Sequence, residues 1–185
     1  MPAYLLIAAA IALSLDAAAL AIARGMVRRP SLAQAAGFGL LCGIFQAVLL
    51  GLGWWLCVGA QGWIAGNDRW LASVLLAAIG AKMLWEAASG SIVAEAVAGW
   101  PTWRAALGLA VLTSLDAAAA GVGLATLGND PLMAAIVVGA VTLLAVVVGA
   151  RWADAFGGRG VRGLEAFGGG LLIAIGGWLL LAPSA

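Results

Sequence analysis

Two aspartates, Asp16 and Asp116, occupy the same hexapeptide, Ser-Leu-Asp-Ala-Ala-Ala, at residues 14–19 and again at 114–119. Each is embedded in a long apolar stretch. An ionised carboxylate in the middle of a membrane-spanning helix costs about 2.5–3.5 kcal/mol on insertion scales, so a chain holding two of them in duplicated settings needs something to offset the charge. A bound cation does so, and a cation held inside a membrane points to transport. The chain has no histidine, and Cys42 and Cys57 share one apolar segment without a CxxC spacing. Thiolate and imidazole metal sites are thereby excluded, the cysteines read as packing residues, and the ligands left are oxygens, which suit hard cations.

Such cations take six or more oxygens. Two aspartates supply charge. Neutral oxygens are available from Gln46 in the second apolar run, from Ser14, Thr113, Ser114 and Thr142, from backbone carbonyls and from water. Gln46 is the strongest of these, because an amide amid apolar residues must find a partner. The serines have a competing use, since a hydroxyl in a helix readily bonds back to the carbonyl one turn earlier. Lys82 and Glu86, four residues apart, would share a helix face; they form either an intrahelical pair that lowers the cost of both charges or a cytoplasmic mouth where Glu86 admits ions or relays protons and Lys82 repels stray cations. Glu165 is expected at the interface, at the start of the last apolar run.

The elements that must position these groups are membrane helices. The 185 residues are 65% hydrophobic and 9% charged, with a mean hydropathy of +1.12, against about 45–50% apolar residues in soluble domains. A net charge of +1 without a basic run argues against nucleic-acid binding. Apolar runs long enough to cross a bilayer fall at about 3–23, 36–58, 70–88, 104–126, 132–150 and 164–182, each close to the roughly 20 residues that a 30 Å core requires. The first lacks a preceding basic residue and contains Asp16, so it reads as a retained span and not a secretory signal. Most of the nine tryptophans fall near span ends, as an interfacial belt does.

Arg24, Arg28 and Arg29 follow the first span and Arg151, Arg159 and Arg162 the fifth, whereas only Arg69 serves the connections after spans two and four. The positive-inside bias then puts the odd-numbered connections in the cytoplasm and both termini outside. The expected fold is all-α: a polytopic membrane protein, one transmembrane domain over 1–185, with six helices as two inverted three-helix repeats, about 1–90 and about 102–185. Gly39 recurs as Gly139, and Ala78-Ile79-Gly80 as Ala174-Ile175-Gly176. With three spans per half the copies cross in opposite senses, and a pseudo-two-fold axis in the membrane plane returns mid-helix positions to one depth. Asp16 and Asp116 each lie within about one turn of a span centre at 1.5 Å per residue. One shared site follows. The alanines around both, with Gly121 and Gly123, let helices approach closely enough for two carboxylates to meet one ion.

Leu-Ser-Leu-Asp16-Ala, Thr113-Ser-Leu-Asp116-Ala and the following Gly121-Val-Gly123, together with Gln46, Gly53-Trp54, Gly80-x-Lys82-Met83, Glu86 and Glu165 ahead of Gly168-Gly169, resemble the MntP family of manganese efflux pumps in the LysE-type transporter superfamily. The resemblance covers nearly the whole chain, and the Thr-Ser-Leu-Asp-Ala segment with Gly-Val-Gly is its most specific part. It implies export of excess Mn(II) from the bacterial cytoplasm through the inner membrane, with Asp16, Asp116, Gln46 and Glu86 carried over by motif as metal-site residues. The chain departs from the family pattern at Ala18, Ala21 and Ala23, where an aromatic, a serine and a glycine are usual, and at Leu50, where a proline is.

The mechanism expected is alternating access at a midplane site. Two carboxylates side by side in a low dielectric repel each other, so the empty site holds a proton that a divalent ion displaces, and proton–cation antiport follows. The ion is cargo, and no permanently bound cofactor and no enzymatic activity are expected. The same fold would also suit another cargo, namely magnesium, iron(II), cadmium or an amino acid. An intramembrane aspartyl protease is the rival of a different class, and the sequence-identical settings of the two aspartates speak against it, because a catalytic dyad needs unequal carboxyls. A purely structural membrane subunit is a third reading, in which Asp→Asn changes would alter stability and no flux.

Overall fold

Backbone amides and carbonyls inside hydrocarbon have no water to bond, so each segment of an apolar chain must satisfy them internally, and a helix does this within one segment. The computed structural model describes residues 3–59, 68–90, 100–126 and 130–181, and these are helical almost throughout, with no strand among them. The elements are α1 (Ala3–Val27), α2 (Leu32–Gly59), α3 (Asp68–Ser89), α4 (Trp103–Leu112), α5 (Leu115–Thr126), α6 (Pro131–Arg151) and α7 (Ala153–Leu181). Six candidate membrane spans result, with α4 and α5 together making the fourth. The connection at 60–67, with Trp63, and most of the one before Trp100 lie outside the described residues.

Local signals set the helix ends. Ser31 and Gln34 bond each other's backbone amides reciprocally at the start of α2, the Ser-x-x-Gln form of a capping box. Asp130 caps α6 by accepting from the amides of Leu132 and Met133 ahead of Pro131 at the first helical position. Gly90 ends α3 with a φ of 67°, a left-handed conformation that glycine adopts without strain.

Packing runs α2 against α5 and α6, α1 against α6 and α7, and α3 against α7 and, less extensively, α5. Small residues make the close approaches possible. At Gly80 a Cβ would lie 2.5 Å from the Gly169 carbonyl oxygen, and at Gly169 one would lie 2.6 Å from the Gly80 oxygen, so α3 and α7 cross backbone to backbone. Large apolar side chains such as Leu40, Ile44, Val48, Leu52 and Trp55 of α2 point outward, where the lipid would be.

Two apolar clusters flank the level of the aspartates. One takes Ala9 to Leu13 of α1, ahead of Asp16, with Ala117, Ala120 and Leu124 of α5, beyond Asp116, and closes on Leu50, Leu76, Val138, Leu172 and Ile175. The other takes Ala17 to Ala23, after Asp16, with Ala106 and Ala110 of α4, before Asp116, and closes on Phe38, Cys42, Val146 and Val161. Helix α1 therefore crosses the bundle in the sense opposite to α4 and α5. Both cysteines are buried, and neither is in a disulfide.

The last helix starts earlier than its expected window of about 164–182, at Ala153, and the fourth span changes in detail. A single helix over 104–126 is expected from hydropathy, and the chain instead turns at Thr113 and Ser114. There the Ser114 amide bonds the Val111 carbonyl at 3.2 Å in the tighter i to i−3 pattern, and the Thr113 and Ser114 hydroxyls bond back to the Leu109 and Ala110 carbonyls at 2.9 and 2.6 Å. Two consecutive hydroxyl residues offering the backbone alternative partners explain the interruption.

Candidate functional site

Because α4 leans on α2 and stands away from α3, a cleft of about 580 Å³ opens between them. Ala78, Ile79, Lys82 and Glu86 of α3 form one wall, Leu109, Leu112 and Thr113 the other, and Asp16 and Leu20 of α1 with Leu115 and Asp116 of α5 form the floor. The two aspartates, distant in sequence, thus line one cavity and interact electrostatically. They are only 3% and 7% exposed. Asp116 stands in the first turn of α5, where the helix dipole favours negative charge; its Oδ1 accepts from the Ala117 amide at 2.8 Å, and its Oδ2 is buried without a hydrogen-bond partner. A buried carboxylate oxygen with no donor is a place for a cation.

The remaining expected site residues divide by position. Lys82 Nζ bonds both oxygens of Glu86 at 3.0 Å on the cavity wall, so the i, i+4 pair forms and also faces the site. Thr113 lines the cavity with its hydroxyl turned back on its own helix. Ser14 bonds the Ile11 carbonyl at 2.8 Å and Ser114 the Ala110 carbonyl, as helical serines do, and neither lines the cleft. Gln46 is fully buried but is not on the cavity lining: its amide nitrogen donates to the Leu13 carbonyl at 3.3 Å and its oxygen accepts from the Thr142 hydroxyl, which also bonds the Val138 carbonyl at 2.8 Å. Gln46 thereby ties α2 to α1 and α6, three residues from Asp16 along α1.

Glu165, expected at the start of the last span, is 1% exposed inside the bundle, and neither carboxylate oxygen has a hydrogen-bond partner. Its burial comes from α1 and α3 packing over α7, which no single-span hydropathy reveals. Among the described residues no group of three acidic or thiol side chains forms a metal cluster. The cavity accordingly offers an ion the carboxylates of Asp16 and Asp116, with that of Glu86 on its wall paired to Lys82, and such oxygen ligands suit a hard divalent cation.

Residues 29–180 match the family model described as "Putative manganese efflux pump". The chain belongs to the MntP family. Among its relatives, the MntP protein of Neisseria gonorrhoeae (strain ATCC 700825 / FA 1090) is 36% identical over 188 residues, covering 98% of this chain and 97% of that one. That of Neisseria meningitidis serogroup A is 37% identical over 183 residues, covering 97% and 95%, and that of Rhodopseudomonas palustris (strain BisA53) is 35% identical over 173 residues, covering 92% and 89%. All three carry the name "Putative manganese efflux pump MntP". No solved structure matches the chain. The MntP family model begins after Asp16, but the relative that covers 98% of the chain extends the match through that residue and through Glu86, Asp116 and Glu165.

Proposed function

We propose that the protein exports Mn(II) from the bacterial cytoplasm across the inner membrane, in exchange for protons, by alternating access to a site built from Asp16 and Asp116. The observation that carries this reading is the meeting of the two duplicated, buried aspartates in one cavity, where an oxygen of Asp116 has no hydrogen-bond partner. The names of the MntP relatives supply the metal. Oxygen ligands fit it.

Pairs of contacts support an inverted repeat. Gly80 meets the Gly169 carbonyl as Gly176 meets that of Ser73, each pair of positions being 96 residues apart; Gly39 meets the Leu143 carbonyl as Gly139 meets that of Gly43, at an offset of 100. Besides the interruption between α4 and α5, which α1 lacks, the symmetry is broken at a seam. The seam between α1 and α7 is closed over Gly168, while its counterpart between α3 and α4 is the open cleft. With the odd-numbered connections in the cytoplasm, Leu20, Lys82, Glu86, Leu109 and Leu112 all lie on the cytoplasmic side of the aspartates. The structure is then an inward-facing state, sealed toward the outside by the cluster of Leu13, Leu50, Leu76, Leu124 and Leu172. Exchanging the conformations of the two halves would close one seam, open the other and carry the ion across.

The test is Mn(II) uptake into inverted vesicles. Asp16→Asn and Asp116→Asn are each expected to abolish it while the protein remains folded, and wild-type uptake by either variant defeats the proposal. Competition by magnesium, iron(II) and cadmium in the same vesicles fixes the cargo.

A further inference from the structure

Glu165 has no part in the cavity lining, and a packing role does not explain a carboxyl. It stands on the face of α7 that also carries Val161, Gly168, Gly169 and Leu172, and this face is pressed into the seam between α1 and α3: a Cβ at Gly168 would meet the Met83 methyl at 2.7 Å, Leu15 at 3.1 Å and the Ala12 carbonyl at 3.2 Å. The elements packed against α7 are α1 and α3. The charged groups that face Glu165 from them are Asp16 on α1 and Glu86 and Lys82 on α3, with Arg162 on its own helix. Lys82 already donates to Glu86, and neither oxygen of Glu165 receives a hydrogen bond.

An ionised carboxylate buried in that way without a donor is expensive for a membrane protein to carry. A metal or alkali ion there would need further oxygens beside the two that Glu165 offers. A proton needs one.

We infer that Glu165 is a second ion site, separate from the metal cavity, which binds the proton exchanged for the metal. This rests on the proposed function and specifies where its coupling ion sits. In the metal-free inward-facing state Glu165 is a neutral carboxyl. When a divalent cation enters beside Asp16, its positive charge favours the carboxylate: the O–H bond of Glu165 breaks, the electron pair stays on the oxygen, and the proton passes to cytoplasmic water. On the outer side the reverse occurs, as a proton from outside re-forms the O–H bond, removes the negative charge that favoured the metal, and the metal leaves. The residue thus contributes one proton inward for each metal ion outward.

The experiment uses the full-length protein in nanodiscs, titrated with Mn(II) by calorimetry in buffers of different ionisation enthalpy to count protons released per ion bound. Glu165→Gln, isosteric and uncharged like the protonated carboxyl, is expected to bind Mn(II) about tenfold more weakly than wild type and to release one proton fewer. In liposomes it should retain manganese–manganese exchange and lose the response to a pH gradient. An unchanged proton count in Glu165→Gln overturns the inference. If instead Asp16→Asn binds and exchanges Mn(II) like wild type, the aspartate site itself is at fault, so the two failures are distinct. Should Glu165→Gln not fold, wild-type protein labelled with 13C at the glutamate carboxyls, of which the chain has only Glu86, Glu95 and Glu165, gives the answer by infrared spectroscopy. A protonated glutamate that disappears on adding Mn(II) supports the inference; absence of any protonated glutamate in the metal-free protein overturns it.

Discussion

Gly53 of α2 lies so close to the carbonyl oxygen of Ala118 in α5 that no Cβ fits between them, and Ala118 is two residues beyond Asp116. Gly121 meets the Leu50 carbonyl in the same way, one turn along both helices. The position of α5, and with it the depth and direction of the Asp116 carboxylate, is set by this contact.

Gly53→Ala is therefore expected to push α5 away from α2, lowering stability by about 1–3 kcal/mol, as overpacking of a tight interior does. Manganese transport should fall at least tenfold, equivalent to about 1.4 kcal/mol. Gly51→Ala is the control, since nothing lies within 4 Å of a Cβ there. Thermal unfolding in detergent and uptake into vesicles, measured on both variants, check the pair.

Gln46 bonds two neighbouring helices and does not line the cavity, so its replacement should act on stability. Gln46→Leu removes its bonds to Leu13 and Thr142, at a cost of about 0.6–1.7 kcal/mol, the range found for side-chain hydrogen bonds between membrane helices. Thr142→Val should cost a similar amount, and the double variant less than the two together, because both changes remove the same bond. Unfolding in detergent measures the coupling, and the apparent KM for manganese should move by less than threefold. A large KM shift with unchanged stability would instead make Gln46 a ligand.

Lys82 stands on the cavity wall, on the route by which the proposed transport brings a cation to the aspartates. The pair with Glu86 is partly exposed, with side chains 51% and 23% accessible, so its loss should change stability by no more than about 1 kcal/mol. Lys82→Met releases Glu86 and removes a repulsion, and the KM for manganese should fall several-fold. Glu86→Gln should raise it. Both shifts should shrink as ionic strength rises, because screening weakens exposed charges first. Initial-rate measurements at low and high salt give the sign.

The cleft between α3 and α4 predicts sided accessibility. In a background with Cys42→Ala and Cys57→Ala, Leu112→Cys and Leu109→Cys should react with a membrane-impermeant thiol reagent added from the cytoplasmic face, since both line the cleft. Leu13→Cys, in the fully buried opposite cluster, should not. Manganese turnover should lower labelling at 112 and expose α1 positions that face α7. Labelling at 112 only from outside would reverse the assigned orientation.

Much of the fold was legible because lipid imposes few alternatives: an apolar run of about 20 residues must be helical and must span. Asp16 and Asp116 stood out for the same reason, a charge where hydrocarbon tolerates none without a use. The Lys82–Glu86 pair followed from helical spacing alone. What was not legible involved more than one element. The turn at Thr113 and Ser114 leaves hydropathy unchanged, and its one visible sign was two adjacent hydroxyls. Gln46 was marked as needing a partner, yet only the arrangement of α1, α2 and α6 made that partner Thr142 and the Leu13 carbonyl and not the cavity. Glu165 read as interfacial because its place near the start of a span said nothing of the helices that cover it.

By itself, then, the sequence determined which residues cross the membrane, which two carboxylates are unavoidable and what kind of ligand they favour, because those follow from local transfer energies and from helical periodicity. Tertiary structure decided which polar groups face a common space. It brought Asp16 and Asp116 to one cavity, bonded Gln46 to two neighbouring helices and buried Glu165 among α1, α3 and α7. Those outcomes depend on where glycine permits one backbone to touch another, and a contact between helices far apart in the chain leaves no periodic trace in either of them.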